Sequence, residues 1–445
     1  MSRRLLLLFS LIVVLVPLTA AGCGGDDDEE AAPSASGTEG STEGGGASGS
    51  ISVMAVWTGP EQANFQAVID GFTEANPDVD VNYTSAGDQL PTQLSTAVEG
   101  GNPPDIAVLP QPGLMRDFAS QDALQPIDFA QSDIEANFGE SVIDLGTVDG
   151  TLYGFLYKAA NKSLVWYNVG AYSDAGVEPA EDWDTWLDDG ATLSASGVPA
   201  YSIGGADGWT LTDLFENIYL RSAGPDLYDQ LATHEIPWTD QSVKDALAEM
   251  AKIVGDSGNI AGGTGGALQT DFPTSVTQVF ADPPKAAQVM EGDFVAGVIT
   301  DSTDAAAGEG FDVFPFPAIG DSGSVVVGGG DTVVMFKDSP AAQAFVKYLT
   351  TPEAAQIWAE KGGFASLNKN LDPSVYPDEI TATTAGALAE AEAFRFDLSD
   401  LQPAEFGGTV GQGLFKLFQD FVQNPDDIDG ITQQMEDAAA QAYGN

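Results

Sequence analysis

Residues able to do chemistry are few in kind along this chain. There is one cysteine, Cys23, and one histidine, His234, so thiol catalysis and Cys–His metal sites lack their raw material. A Ser-His-Asp triad would have His234 as its only base, and that residue sits in a loop-like Thr233-His234-Glu235-Ile236-Pro237 stretch. Carboxylates abound instead, with 67 Asp and Glu against 15 Lys and Arg. Two carboxylates can run glycoside hydrolysis. So many acids make chance pairs inevitable, and no motif marks one pair out. An Asp-x-Asp-x-Asp-Gly loop with a closing Glu, which would hold calcium, is also missing. No catalytic residue, metal site or cofactor is expected.

The residue types suit binding better. A sugar offers apolar C–H faces and a rim of hydroxyls, so its site needs aromatic platforms and side chains that hydrogen-bond in both directions. Trp57 and Thr58 end a candidate strand, where ligands collect in open α/β sheets. Asp88-Gln89 precedes a helical pattern, and Gln111 follows a buried-strand run. Trp209 follows the glycine-rich turn Gly204-Gly205-Ala206-Asp207-Gly208, which would expose its ring. For Trp57 the competing reading is a core side chain. Trp183, Trp186 and Trp358 lie on helical faces and are expected to be packing residues.

The elements that would position these residues are legible from their periodicity. Ile51–Trp57 reads as a strand closed by Gly59-Pro60. Phe65, Val68, Ile69 and Phe72 then repeat at helical spacing until Asn76-Pro77. Val79–Tyr83 is a second strand, Leu90–Val98 a second helix, and Asp105–Leu109 a third strand. Strands separated by such helices imply a parallel sheet with crossovers. Further on, Ala341–Tyr348, Pro352–Lys361, the Leu414–Phe421 face and Gln433–Tyr443 read as helices.

The N-terminus reads as an export and anchoring device. Arg3 and Arg4 precede an apolar run, Leu5–Val16, interrupted only by Ser10 and stopped by Pro17. Such a run of about twelve residues falls short of the roughly 20 that span a bilayer, as in a cleaved leader. Ala20-Ala21-Gly22-Cys23 resembles the lipobox of bacterial lipoproteins, with Ala20 in place of the usual Leu. That resemblance implies loss of 1–22 and lipidation of Cys23. The Ser2–Leu7 stretch loosely resembles a twin-arginine signal, although its n-region is short. From Gly24 to Ser50 there is no Leu, Ile, Val or aromatic residue, so 23–50 is expected to be a disordered acidic tether reaching about 30 Å.

A formal charge of −52 excludes nucleic acid as a partner and argues against adhesion to anionic lipid. The membrane contact must then come from the lipid. Acids spread along the whole chain with scarce lysine match a surface adapted to high salt, the alternative being an ordinary acidic exported protein. The roughly 395 residues after the tether suit two lobes rather than one core.

The run from Ile51 to Leu109, ending Gly101-Asn102-Pro103-Pro104-Asp105-Ile106, resembles the opening of the extracellular sugar-binding proteins of ABC importers. Later stretches resemble the same family in order: Tyr153-Gly154-Phe155 to Asn168, Glu181-Asp182-Trp183-Asp184-Thr185-Trp186, Glu291-Gly292-Asp293-Phe294-Val295 and Gly328-Gly329-Gly330-Asp331. Gly208-Trp209 through Pro237-Trp238-Thr239-Asp240, with Phe394-Arg395-Phe396-Asp397, looks most like the α-glucoside-binding branch. The resemblance implies an α/β, two-lobed periplasmic-binding-protein fold with hinge crossovers and a ligand cleft between the lobes. It places the first lobe at 51–158 and 328–360, and the second at 159–327 and 361–445. At the crossovers it adds Tyr157, Lys158, Asn161, Glu291, Asp293, Gly329, Gly330, Asp331 and Arg395 as ligand-binding candidates, a structural ion pair being the competing role for Lys158. It implies a monomer that captures an oligosaccharide and delivers it to ABC permease subunits without catalysis. A receptor for a polyamine or metal chelate, an exported glycoside hydrolase and a surface scaffold are the alternatives.

Overall fold

A computed structural model of the chain describes residues 47–390 and 393–444. The expected leader 1–22, Cys23 and nearly all of the expected 23–50 tether lie outside the described residues. Among those described, no helix is long and apolar enough to cross a membrane.

The first three strands are β1 (Gly49–Ala55), β2 (Val79–Ser85) and β3 (Ile106–Leu109). Val53 of β1 lies opposite Tyr83 and Ile106, and both pairings are parallel, as the alternation of strands and helices requires. The connecting helix Gly59–Ala75 turns Phe65, Val68, Ile69 and Phe72 inward, and Asn76 ends it by donating from Nδ2 to the Phe72 carbonyl at 3.0 Å. After the short hairpin β4 (Thr147–Val148) and β5 (Thr151–Leu152) come β6 (Gly154–Asn161) and β7 (Leu164–Asn168). β8 (Tyr201–Ser202), β9 (Gln288–Met290), β10 (Phe311–Pro315), β11 (Val325–Met335) and β12 (Ala393–Phe396) complete the strands.

These strands form two principal sheets. One has the order β12-β11-β3-β1-β2, with β6 also pairing to β11; the other is β10-β7-β9-β8. Each sheet carries its own core. The first gathers Trp57, Phe65, Phe72, Tyr157, Phe345 and Trp358. The second gathers Trp183, Trp186, Phe215, Tyr219, Trp238 and Phe418. Trp183, Trp186 and Trp358 are thus packing residues, as expected. Two sheets with separate cores give the mixed α/β, two-lobed architecture that the resemblance implies.

Chain crossings between the lobes are short. β6 ends in the first sheet at Asn161 and β7 begins in the second at Leu164, so Lys162-Ser163 is the first crossing. β11 makes the second: Val325 and Val327 lie in the second core, Val333 and Met335 in the first. By its hydrogen bonds β11 joins the first sheet from Val325, ahead of the boundary expected at Gly328. The return after 360 also differs from expectation. Phe364 is buried in the first core and Leu367, Leu371, Val375 and Tyr376 pack against it, so the chain stays with that lobe well past 361. Residues 361–376 are mostly turns and loop, where no periodicity marks which core a side chain will join.

Candidate functional site

A cavity of about 190 Å³ opens between the lobes. From the first lobe Trp57, Thr58, Glu61, Asp88, Lys158 and Asp331 line it. From the second come Lys162, Trp209, Phe272, Phe294, Asp400 and Phe415. Its walls therefore pair aromatic rings with charged groups.

The first-lobe wall is a buried network. Trp57 is 1% exposed and packs on Phe65 and Trp358 with ring centroids 4.6 and 4.7 Å away. It serves the core and the cavity together, and its Nε1 donates to Asp331 Oδ2 at 2.9 Å. Lys158 Nζ lies 2.9 Å from Glu61 Oε1 and 3.8 Å from Asp331 Oδ2, with its charge 5.3 Å from the Phe294 ring centre. Burial works to discharge this lysine, but Glu61, Asp331 and Asp293 outweigh it and hold the ammonium above its ordinary pKa. Both roles weighed for Lys158 are therefore compatible. Gly330 lets the β11 backbone approach: a Cβ there would fall 2.3 Å from the Lys158 carbonyl oxygen.

The cavity's far end is built around Lys162. Its Nζ lies 2.5 Å from Asp397 Oδ2, 3.1 Å from Asp213 Oδ1 and 3.9 Å from Asp400 Oδ2. Burial again opposes its charge, and the three carboxylates reverse that effect and raise its pKa well above normal. Asp397 shows the reciprocal result. Burial would raise it, yet Lys162 and further hydrogen bonds hold it down at about 2. Asp213 lacks such support: burial and neighbouring Asp397 prevail over Lys162 and push it up to about 8. Asp213, Glu216 and Asp397 bring carboxylate oxygens within 4.8 Å of one another, a spacing compatible with a metal, but the Lys162 ammonium already touches two of the three.

Trp209 starts the helix Trp209–Ala223 behind Gly208, whose φ of 98° places it in the region open to glycine. A Cβ at Gly208 would also lie 2.6 Å from that of Phe415. The indole packs on Phe272 at 5.2 Å and Phe294 at 6.1 Å, with Lys162 Nζ 5.7 Å from its ring centre. Gln111 donates from Nε2 to the Gly408 carbonyl at 2.7 Å, while its buried Oε1 has no protein partner. Asp88 sits at the mouth. Enclosure by the opposing lobe, together with the charges of Asp207, Asp271 and Glu61, pushes it up to about 7 although its own surface is open to solvent.

Eight of the fifteen candidates thus line the cavity: Trp57, Thr58, Asp88, Gln111, Lys158, Trp209, Gly330 and Asp331. The other seven do not. Gln89 faces solvent beyond Asp88. Tyr157 points into the first core, its hydroxyl 3.4 Å from the Ala354 carbonyl. The backbone N–H of Asn161 donates to Asp293 Oδ2 at 3.1 Å, and the Asn161 Oδ1 accepts the Ser163 N–H at 3.0 Å, so the two residues brace the crossing and neither lines the cavity. Glu291 borders a separate space of about 20 Å³, and burial raises its pKa well above normal. Gly329 lies under the Lys162 side chain, where a Cβ would meet Cε at 2.8 Å. Arg395 reaches away to Asp229 Oδ1 at 2.6 Å. For Tyr157, Asn161 and Gly329 the cause is strand alternation, since each neighbours a lining residue on β6 or β11 and so falls on the other face.

Sequence reasoning missed Glu61, Lys162, Phe272, Phe294, Ser399, Asp400 and Phe415. Lys162 had an available signal, since it is one of only 15 Lys and Arg in the chain and lies four residues after Lys158 at the same crossing. His234 lies outside the cavity, with its Nε2 3.2 Å from Glu436 Oε2.

The chain is similar to known proteins over most of its length. It is 35% identical over 375 residues to the osmoprotective compounds-binding protein GgtB of Synechocystis sp., covering 82% of this chain and 86% of that one. It is 32% identical over 380 residues to the alpha-glucosides-binding periplasmic protein AglE of Rhizobium meliloti, covering 82% and 81%. Among solved structures, the bacterial solute receptor AcbH superposes with a TM-score of 0.78 at 20% identity, over 88% of this chain and 98% of that one, and shares the fold. A family profile described as bacterial extracellular solute-binding protein matches residues 57–356, and this chain belongs to that family.

Proposed function

We propose that the protein captures a short carbohydrate, of α-glucoside type, by closing its lobes and presents it to the permease of an ABC importer. The carrying observation is the interlobe cavity itself, where Trp57, Trp209, Phe272, Phe294 and Phe415 meet Lys158, Lys162 and five carboxylates. Rings suit the apolar faces of a sugar, lysines donate to its hydroxyls and carboxylates accept from them. At about 190 Å³ the cavity falls below the roughly 300–1,000 Å³ of drug-sized pockets, which favours one or two sugar units over a longer chain. The name of AglE supports an α-glucoside, and that of GgtB supports an osmoprotective compound. Ligand bridging the two walls would shift the population toward the closed form. In this reading the protein works as a monomer at the outer face of the membrane, anchored through Cys23.

One observation favours a second reading. Glu61, Asp88, Asp331, Asp397 and Asp400 outnumber Lys158 and Lys162 in the wall, an imbalance that would also suit a cationic solute such as a polyamine. Titration calorimetry of the full-length protein in molar KCl, with maltose, trehalose, sucrose and spermidine, separates the two. Micromolar binding of a disaccharide supports the first reading. Binding of spermidine alone replaces it, and binding of none of the four refutes both.

A further inference from the structure

Helix Trp209–Ala223 is buried along nearly its whole length, and it carries polar residues where apolar ones would be expected. Trp209, Asp213, Asn217 and Arg221 recur four apart and so share one face. That face runs from the cavity to the places where the chain crosses between lobes. Trp209 lines the cavity and Asp213 holds Lys162. Asn217 Nδ2 donates to the Lys162 carbonyl at 2.9 Å, and its Oδ1 accepts from Ser163 Oγ at 2.6 Å. Ser163 Oγ in turn accepts the Val327 N–H at 2.8 Å, tying the first crossing to the second. Arg221 Nη2 donates to the Val325 carbonyl at 2.9 Å, and its Nη1 to Asn217 Oδ1 at 3.0 Å. One turn across, Glu216 accepts the N–H groups of Leu398 and Ser399 at 2.8 and 2.9 Å, just past β12. A single helix thus grips the chain at 162–163, at 325–327 and at 398–399.

Arg221 is the unexpected member. In a chain with 67 acids, no carboxylate among the described residues lies within ion-pair distance of this guanidinium, which is only 6% exposed. Its partners are the backbone carbonyls of Asn217 and Val325 and the side-chain amide oxygen of Asn217, plus the face of Phe316 at 4.8 Å. Burying a charge without an opposing charge is costly. Burial lowers its pKa to about 9, so it remains charged at neutral pH. A guanidinium held this way joins two backbone segments without welding them to an acid.

We propose that Asn217 and Arg221 are positioning residues that set the open–closed equilibrium of the lobes, and through it the affinity of the cavity, without touching the ligand. Neither lines the cavity. The apparent dissociation constant scales inversely with the fraction of binding-competent protein, so a hinge variant changes affinity while every cavity contact stays in place. This inference rests on the reading of lobe closure.

Its test needs no ligand. In full-length protein with Cys23→Ser, dyes on Glu99→Cys in the first lobe and Ala195→Cys in the second report interlobe distance by single-molecule energy transfer. Arg221→Met and Asn217→Ser are expected to change the ratio of the two distance populations at least threefold in sugar-free protein, with Arg221→Lys moving it back toward wild type. Trp186→Phe serves as a core control that lowers the melting temperature and leaves the ratio alone. Overturning results are an unchanged ratio in folded Arg221 and Asn217 variants, or an equal change in the Trp186 control. If Arg221→Met does not fold, Arg221→Lys and Asn217→Ser decide alone. Failure of the carbohydrate reading would appear separately, as calorimetric silence with the population shift intact.

Discussion

Two tryptophans distinguish a cavity wall from a core, and replacing each by alanine gives opposite expectations. Trp209 is half-buried, with one side of its environment open to the cavity. A sugar face covering about 50 Å² of the ring is worth ~1.2 kcal/mol at ~25 cal/mol/Å². Directional ring contact adds about 0.5–1.5 kcal/mol. Together these approach 2 kcal/mol, so Trp209→Ala should weaken sugar binding at least tenfold, a factor worth about 1.4 kcal/mol. Its ligand-free melting temperature should drop by only about 1–2 °C, from lost contact with Phe272 and Phe294. Trp186 is 1% exposed, packs against Trp183, Tyr201 and Phe316, and donates to Gln288 Oε1 at 2.7 Å. Trp186→Ala leaves a cavity costing about 3–5 kcal/mol. At about 2.1 cal/mol/K of unfolding entropy per residue over roughly 400 residues, that is about 5 °C. Sugar affinity measured below the transition should stay within twofold of wild type. Calorimetric titration and melting curves on both variants check this. Normal binding with early unfolding in Trp209→Ala would show that this ring is structural and that ligand sits elsewhere.

Three further expectations follow from charge and from the N-terminus. Burial raises Asp293 to about 6 and Asp213 to about 8, and enclosure with Asp207 raises Asp88 to about 7. For each, the fold disfavours the ionised form, so stability is greatest below about pH 4 and declines as pH rises through 6 to 8. The melting temperature in molar KCl should therefore fall between pH 5 and 8.5, with Asp88→Asn flattening the part near 7; a constant or rising curve refutes the assignment. With a formal charge of −52, self-repulsion is screened as the Debye length shrinks from about 10 Å at 0.1 M to about 3 Å at 1 M salt. Melting temperature should rise by several degrees over that range, and a flat response would count against salt adaptation. Cys23→Ser should abolish fatty-acid labelling and release the protein from membranes, whereas retention after carbonate washing would point to another anchor.

Features that depend on local periodicity and composition were legible in the residues. The face of Phe65, Val68, Ile69 and Phe72 and the parallel pairing of the first strands follow from spacing alone, because a helix or strand must bury its apolar side somewhere. Indole burial at Trp183, Trp186 and Trp358 followed from the same logic. Contacts between distant segments set which core a face meets and which atoms converge. Phe364 keeps the chain on the first lobe because the Trp358 ring stacks against it at 5.2 Å, a contact no periodicity encodes. The cavity shows this most clearly. Lys162, Asp213 and Asp397 lie far apart in the chain, yet they form one charged cluster because the first crossing and the segment just past β12 pass the same helix. Residues beside a correctly anticipated one, such as Tyr157 next to Lys158 or Gly329 next to Gly330, turn away from the cavity because strand side chains alternate. Residue type narrowed the chemistry to solute binding; the paths of the chain between the two cores decided where the site's charges meet.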